Sequence, residues 1–271
     1  MLKPWQIQGK AGGRPVSLAA FNAAAKPCSL GSRDEDRQVV DQLAARLDKL
    51  QDVLFANKRN KLLVVLQGMD SAGKDGTVRG VFARTSPLGV HTVGWRAPSE
   101  EERAHDFLWR IHARVPAAGE IVVFNRSHYE DVLVPRVAGT LSPAQTRERF
   151  GQINDFERML SETGTVILKF FLHISREEQR QRLQARIDDP TKQWKVDLGD
   201  HEVRKLWAPY QKAYGALLGA TSTPWAPWTV VPADSKTHRN LMVGTVVVNV
   251  LEALKLRYPE PDPRLKGLRV E

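Results

Sequence analysis

The segment KLLVVLQGMDSAGKDGT (61–77) limits what this chain can fold into more than any other. Residues 61–67 hold a continuous apolar run of strand length, the pattern of a strand buried on both faces of a parallel sheet. A glycine-bearing turn follows, and then a helix-forming segment from Lys74. Gly68, four residues, Gly73 and Lys74 reproduce the first part of a phosphate-binding loop. The residue types match the chemistry. Glycines let successive backbone N–H groups turn inward around phosphate oxygens, the helix N-terminus adds partial positive charge, and a lysine brings a mobile point charge to the outer phosphates. Gly68, Ala72, Gly73, Asp75, Gly76 and Thr77 are therefore candidate phosphate-binding residues, and Lys74 is a candidate catalytic residue.

The loop departs from the usual pattern in one respect. The hydroxyl residue expected after the lysine is Asp75, and Asp70 adds a second carboxylate. Two carboxylates beside a phosphate chain repel it unless divalent cations lie between them. The expectation is an absolute need for Mg2+ or Mn2+, with Asp70 as metal ligand or as orienter of the acceptor, and Thr77 as a candidate stand-in for the missing hydroxyl.

Along the chain, Val40, Leu43, Leu47, Leu50 and Leu54 recur at helical spacing and predict a helix over 36–57. Strands are predicted at 61–67, 90–95, 120–124, 165–174 and 228–232. Helices are predicted at 74–84, 99–115, near Tyr129, and at 143–163, 176–186, 201–219 and 235–257. Ser99 with Glu102 fits a capping box, and Pro143 suits a first helical turn. Strands alternating with helices predict a three-layer α/β fold around a five-stranded, mostly parallel sheet. The organisation read from this is a basic arm (1–35), one domain (36–258) carrying a lid at about 186–205, and a proline-rich tail (259–271).

The formal charge is +9, and residues 1–32 supply Lys3, Lys10, Arg14 and Lys26 without a single acid. Nearly half of the excess thus belongs to the arm. Gly12-Gly13 and weak periodicity make that arm read as extended and solvated, with a strap over a polyanion site as the alternative. No stretch approaches 18 consecutive apolar residues, so no membrane span is expected, and no apolar run near the N-terminus suggests a secretory signal. Cys28 is the only cysteine, which excludes a disulfide framework and a thiolate metal cluster and fits a cytoplasmic setting.

Two further segments carry chemistry. FNRSHYEDVLVPRV (124–137) follows the third strand, and in such folds ligands sit at the carboxyl ends of the strands. Asn125, Arg126, Glu130, Asp131 and Arg136 would then lie beside the phosphate loop, with Arg126 and Arg136 able to neutralise phosphate oxygens by forked hydrogen bonds. For Glu130, Asp131 and Arg136, surface ion pairing is an equally good reading. Residues 186–205 hold Arg186, Lys192, Lys195, Arg204 and Lys205 against five acids, so the segment is neutral; Trp194 among the lysines favours a lid over an ordinary loop. Trp95, at the end of the second strand, is a candidate to stack on a nucleotide base or to fill the core.

Taken together, GMDSAGKDG, FNRSHYEDVLVPRV and LKFFLHIS with RLQARIDDPTKQWK resemble the polyphosphate kinase 2 family, over about residues 37–258. The resemblance implies a phosphate-loop kinase fold similar to thymidylate kinases, with a helical lid. It implies Mg2+-dependent phosphoryl transfer between inorganic polyphosphate and nucleoside mono- and diphosphates, in a homodimer or homotetramer. Asp70 would act through metal and acceptor phosphate, Gly73 and Lys74 would hold phosphates, and Arg126 and Arg136 would contact them. Arg186, Lys192 and Lys195 fall in the lid that closes over the phosphate chain. Asn125 stands where many relatives carry an acid. Glu130 stands where a subgroup acting on both AMP and ADP carries Glu. Two rival readings are an ATP-dependent nucleotide kinase, whose loop normally ends in Ser/Thr, and a nucleic-acid-binding NTPase. For the second there is no recognition helix and no aromatic single-strand platform, so nucleic acid is not an expected partner.

Overall fold

Five parallel strands, β1 (Lys61–Gln67), β2 (Val90–Gly94), β3 (Ile121–Asn125), β4 (Thr165–His173) and β5 (Trp228–Pro232), form one sheet in the order β2-β3-β1-β4-β5. The computed structural model describes residues 5–9 and 12–270. β1 lies at the centre, its Leu62–Leu66 wholly excluded from solvent, as its unbroken apolar run requires. Helices α1 (Arg33–Asn57), α2 (Lys74–Val81) and α10 (Lys236–Ala253) pack together on one side. Helices α5 (Glu130–Val137), α6 (Pro143–Glu162) and α9 (Trp207–Thr221) pack together on the other, giving the three layers that the alternation predicts. The remaining helices are α3 (Glu100–Ala104), α4 (Trp109–His112), α7 (Arg176–Ile187) and α8 (Leu198–Lys205). None of the described helices is long and apolar enough to cross a membrane.

Local chemistry sets the helix ends. Capping boxes at Ser32/Glu35, Ser99/Glu102 and Ser142/Gln145 satisfy the first N–H groups of α1, α3 and α6. Two predicted helices are each divided in two. The helix expected over 99–115 stops at His105, because the Asp106 carboxylate accepts from Leu108 N and turns the chain before α4. The helix expected over 201–219 restarts after Leu206: Pro209 has no N–H for a helix running through from α8, and it fits only in the first turn of a new one.

The arm corrects the expectation of a solvated segment. Gln6 makes an antiparallel bridge to Thr229, and Ile7 N donates to Trp228 O at 2.9 Å, so the arm covers the outer edge of β5. It then runs along α9, where Val16 N donates to Gly215 O at 2.8 Å, and it buries Leu18 and Ala23. Gly215 and Gly219 permit this approach; a Cβ on Gly219 would stand 2.0 Å from the Arg14 carbonyl. Lys3 and Lys10 lie outside the described residues.

Candidate active site

The carboxyl ends of β1 and β3 place the two main motifs side by side. Gly68 leaves β1 with φ 149° and Gly73 enters α2 with φ 105°, left-handed backbone that glycine adopts readily. Ser71, at φ 63°, and Arg126, at φ 67°, take the same region at a cost, and such strain gathers at functional sites.

Lys74 opens α2 and is buried. Its Nζ turns back onto the loop, donating to Gly68 O at 2.8 Å and Met69 O at 3.3 Å. Burial pulls its pKa down, and the Asp70 carboxylate opposes that pull. Asp70 Oδ1 accepts from Arg126 Nη2 at 2.7 Å, while the Asp70 carbonyl accepts from Gln179 Nε2 of α7 at 3.0 Å. Glu130, half-buried at the start of α5, has its pKa raised by burial, against the pull of Arg126 and Lys74.

A cleft of about 1050 Å³ opens over this edge of the sheet. Of the residues expected from sequence, Gly68, Asp70, Trp95, Arg126, Glu130 and Asp131 line it. Trp95 is a buried wall of the cleft, edge-on to Phe124 at 5.2 Å with the Arg110 guanidinium 5.2 Å from its ring centroid. Asp131 pairs with Arg110 at 3.0 Å, and burial raises its pKa against that pairing.

Other expected residues are placed elsewhere. Asn125 Nδ2 donates to Asp75 Oδ1 at 2.6 Å, so these two candidates tie β3 to α2. Thr77 is buried and gives its hydroxyl to Gly73 O at 3.1 Å. Ala72 is buried with its carbonyl engaged by Arg182, and Gly76 lies under the Arg239 guanidinium. Arg136 is exposed on α5 and does not line the cleft. Arg186, half-buried on α7, is also outside the cleft lining. Lys192 pairs with Asp189, and Lys195 Nζ sits 4.8 Å from the ring centroid of Trp194, which stays exposed.

Sequence reasoning missed Arg110, Arg149, Tyr210 and Tyr214, all of which line the cleft. One signal for Arg149 was available. Pro135 inside α5 cannot donate to the Asp131 carbonyl, and Arg149 Nη1 supplies that donor at 2.5 Å. The donor set also bears on metal. Among the described residues no group of three or more His, Cys, Asp or Glu converges as a cage. Mg2+ keeps several waters and binds through one or two carboxylates plus substrate phosphates, so Asp70 beside the phosphate loop fits it.

Residues 30–259 match the polyphosphate kinase 2 family. Similar proteins include an AMP/ADP-polyphosphate phosphotransferase of Meiothermus ruber, 48% identical over 89% of this chain and 90% of that protein. An ADP-polyphosphate phosphotransferase of Rhodopseudomonas palustris is 39% identical over 86% of this chain and 84% of the relative. The crystal structure of polyphosphate kinase 2 from Arthrobacter aurescens TC1 superposes with a TM-score of 0.91 at 41% identity, covering 96% of this chain and 92% of that one. With its phosphate loop, its β1–β3 motif pair and this agreement over nearly the whole length, the chain belongs to the polyphosphate kinase 2 family.

Proposed function

We propose that this protein transfers phosphoryl groups between inorganic polyphosphate and AMP or ADP, reversibly and with Mg2+. The observation that carries the reading is the meeting of the Lys74 loop, the Asp70–Arg126 pair and Glu130 on one cleft. A relative 48% identical is named for both nucleotides, which supports the acceptor class. Phosphoryl transfer depends on positioning and charge neutralisation more than on covalent chemistry. The acceptor oxygen belongs to a phosphate that is already anionic, so no strong general base is required.

In this reading Lys74 exchanges the Gly68 and Met69 carbonyls for phosphate oxygens. Arg126, aimed by Asp70, neutralises charge that develops on the transferred group. Mg2+, when bound, spreads the charge of the phosphates, and Asp70 would hold it. Glu130 discriminates between AMP and ADP, and the Trp95–Arg110 wall with Asp131 bounds the nucleotide. Arg186, Lys192 and Lys195 close over the polyphosphate chain, which for Lys192 means leaving Asp189. The enzyme works in the cytoplasm as a homodimer or homotetramer, without a nucleic-acid or membrane partner.

The test is to incubate AMP, ADP and GDP separately with polyphosphate and Mg2+ and resolve products by chromatography, with ATP as donor for AMP in a parallel arm. ADP from AMP and ATP from ADP are expected with polyphosphate. Faster AMP phosphorylation from ATP than from polyphosphate would overturn the reading in favour of an ordinary nucleotide kinase. Full activity after exhaustive chelation would remove the metal.

A further inference from the structure

Arg239 and Asn240, in the first turns of α10, lie against the phosphate loop and its helix from behind. Three glycines make room for them. A Cβ on Gly73 would stand 1.8 Å from Arg239 Nη1, one on Gly76 2.8 Å from Arg239 Nη2, and one on Gly80 2.0 Å from Asn240 Nδ2. The guanidinium is thus pressed onto the junction between loop and helix. Its Nη1 donates to the Ala72 carbonyl at 3.4 Å, and its Nε and Nη2 donate to Asn240 Oδ1 at 3.1 and 2.9 Å. Asn240 Nδ2 in turn donates to the Gly76 carbonyl at 3.4 Å. From α7, Arg182 Nη1 reaches the carbonyls of Ser71 and Ala72 at 3.0 and 3.2 Å.

Arg239 is only 2% exposed, and among the described residues no carboxylate pairs with it. Arg182, by contrast, has Glu178 at 2.7 Å. A buried cation without a counter-charge is costly, and the cost falls when an anion arrives nearby. Burial and the neighbouring Arg182 pull the Arg239 pKa down to about 9. The backbone that Arg239 touches is the one whose other side is built to hold phosphate.

We propose that Arg239 is a positioning residue of the phosphate loop, which holds the Ala72 carbonyl back from the substrate side and sets a full positive charge behind the amides that face phosphate. The inference rests on the phosphate-loop reading above. Backbone amides are neutral dipoles; a unit charge behind them adds an attraction that dipoles alone lack. Arg239 does not reach the reacting atoms, so its effect falls on phosphate affinity more than on turnover.

The test is the affinity of the full-length protein for tripolyphosphate with Mg2+, by calorimetry, in wild type, R239K and R239M, with steady-state kinetics alongside. R239K should bind within about threefold of wild type, because it keeps the charge. R239M should bind at least tenfold more weakly, about 1.4 kcal/mol, with KM for polyphosphate rising more than kcat falls. R239M binding within threefold of R239K would overturn the proposal. Should R239M fail to fold, R239Q replaces it under the same criterion. Should no neutral variant fold, the charge serves the fold alone and the proposal falls. A wild-type protein that does not bind tripolyphosphate would instead sink the phosphate-loop reading itself.

Discussion

Arg126 Nη2 lies 2.7 Å from Asp70 Oδ1, so the residue that follows β3 is ion-paired to the loop that follows β1. Neither side chain is free to choose its direction alone. Replacing Asp70 with Asn removes the charge that aims Arg126, and replacing Lys74 with Met removes the loop's mobile cation. Each change should lower kcat by about 10²-fold or more if it acts in the transition state. The losses of D70N and R126Q should combine to less than their product, because the two residues share one interaction. Steady-state rates at saturating polyphosphate decide it, and near-normal turnover in D70N or K74M contradicts the assignment.

Glu130 offers two measurements. E130N should depress AMP phosphorylation more than ADP phosphorylation, and equal losses would remove its role in selection. The second measurement uses its titration. Burial keeps this carboxyl protonated above its ordinary value of 4.5. Between that value and the raised one, the folded chain binds more protons than the unfolded chain, so Glu130 takes stability away as pH rises through the window. The gap in Tm between E130Q and wild type should therefore widen in favour of E130Q as pH climbs from 4.5, and then level off. A gap that narrows with rising pH refutes this.

Beneath the site, Lys169 Nζ of β4 donates to Glu157 Oε2 of α6 at 2.6 Å, and both side chains are fully buried. Tyr129, the residue before α5, donates to the other Glu157 oxygen at 2.7 Å. K169M strands Glu157 without its cation and should cost about 3–5 kcal/mol. The pair K169M/E157Q should recover part of that loss. Urea denaturation of the three proteins checks both statements, and an equal or larger loss in the double variant contradicts them.

The arm gives a prediction read by proteolysis. A valine at Gly219 cannot coexist with the Arg14 carbonyl, which already stands 2.0 Å from where a Cβ would be. G219V should expel the arm from α9 and expose the bonds after Leu18 and Phe21 to chymotrypsin, with the domain beyond them left intact. Cleavage at the wild-type rate would mean that α9 shifts to make room.

The parts of this fold that were legible in sequence are those decided locally. β1 and β4 are apolar runs with turn residues at both ends, and their observed limits lie within a residue of those expected. The phosphate loop was legible because its conformation depends on residues only a few positions apart. Two helices were read as continuous although Asp106 and Pro209 marked their breaks. Arg182 and Arg239 were illegible for a different reason. Beyond neighbours on their own helices, their partners are backbone carbonyls of Ser71, Ala72, Ala233 and Asp234, which have no residue type to read. For Thr77 and Arg136, residue type and spacing do not say which way a side chain turns on a helix. The arm misled because its composition is that of a loop, while its burial depends on two glycines some two hundred positions away.

Gly73, Gly76 and Gly80 have a mechanical consequence. With Arg239 and Asn240 seated against their bare backbone, α2 can neither roll about its axis nor slide along α10 without driving those side chains into its main chain. The element that grips phosphate is therefore an anvil and not a jaw. Whatever travel is needed to admit a long flexible polymer and let it go falls to other parts of the cleft rim, where the short helices α3 and α4 and Val203 of α8 line it.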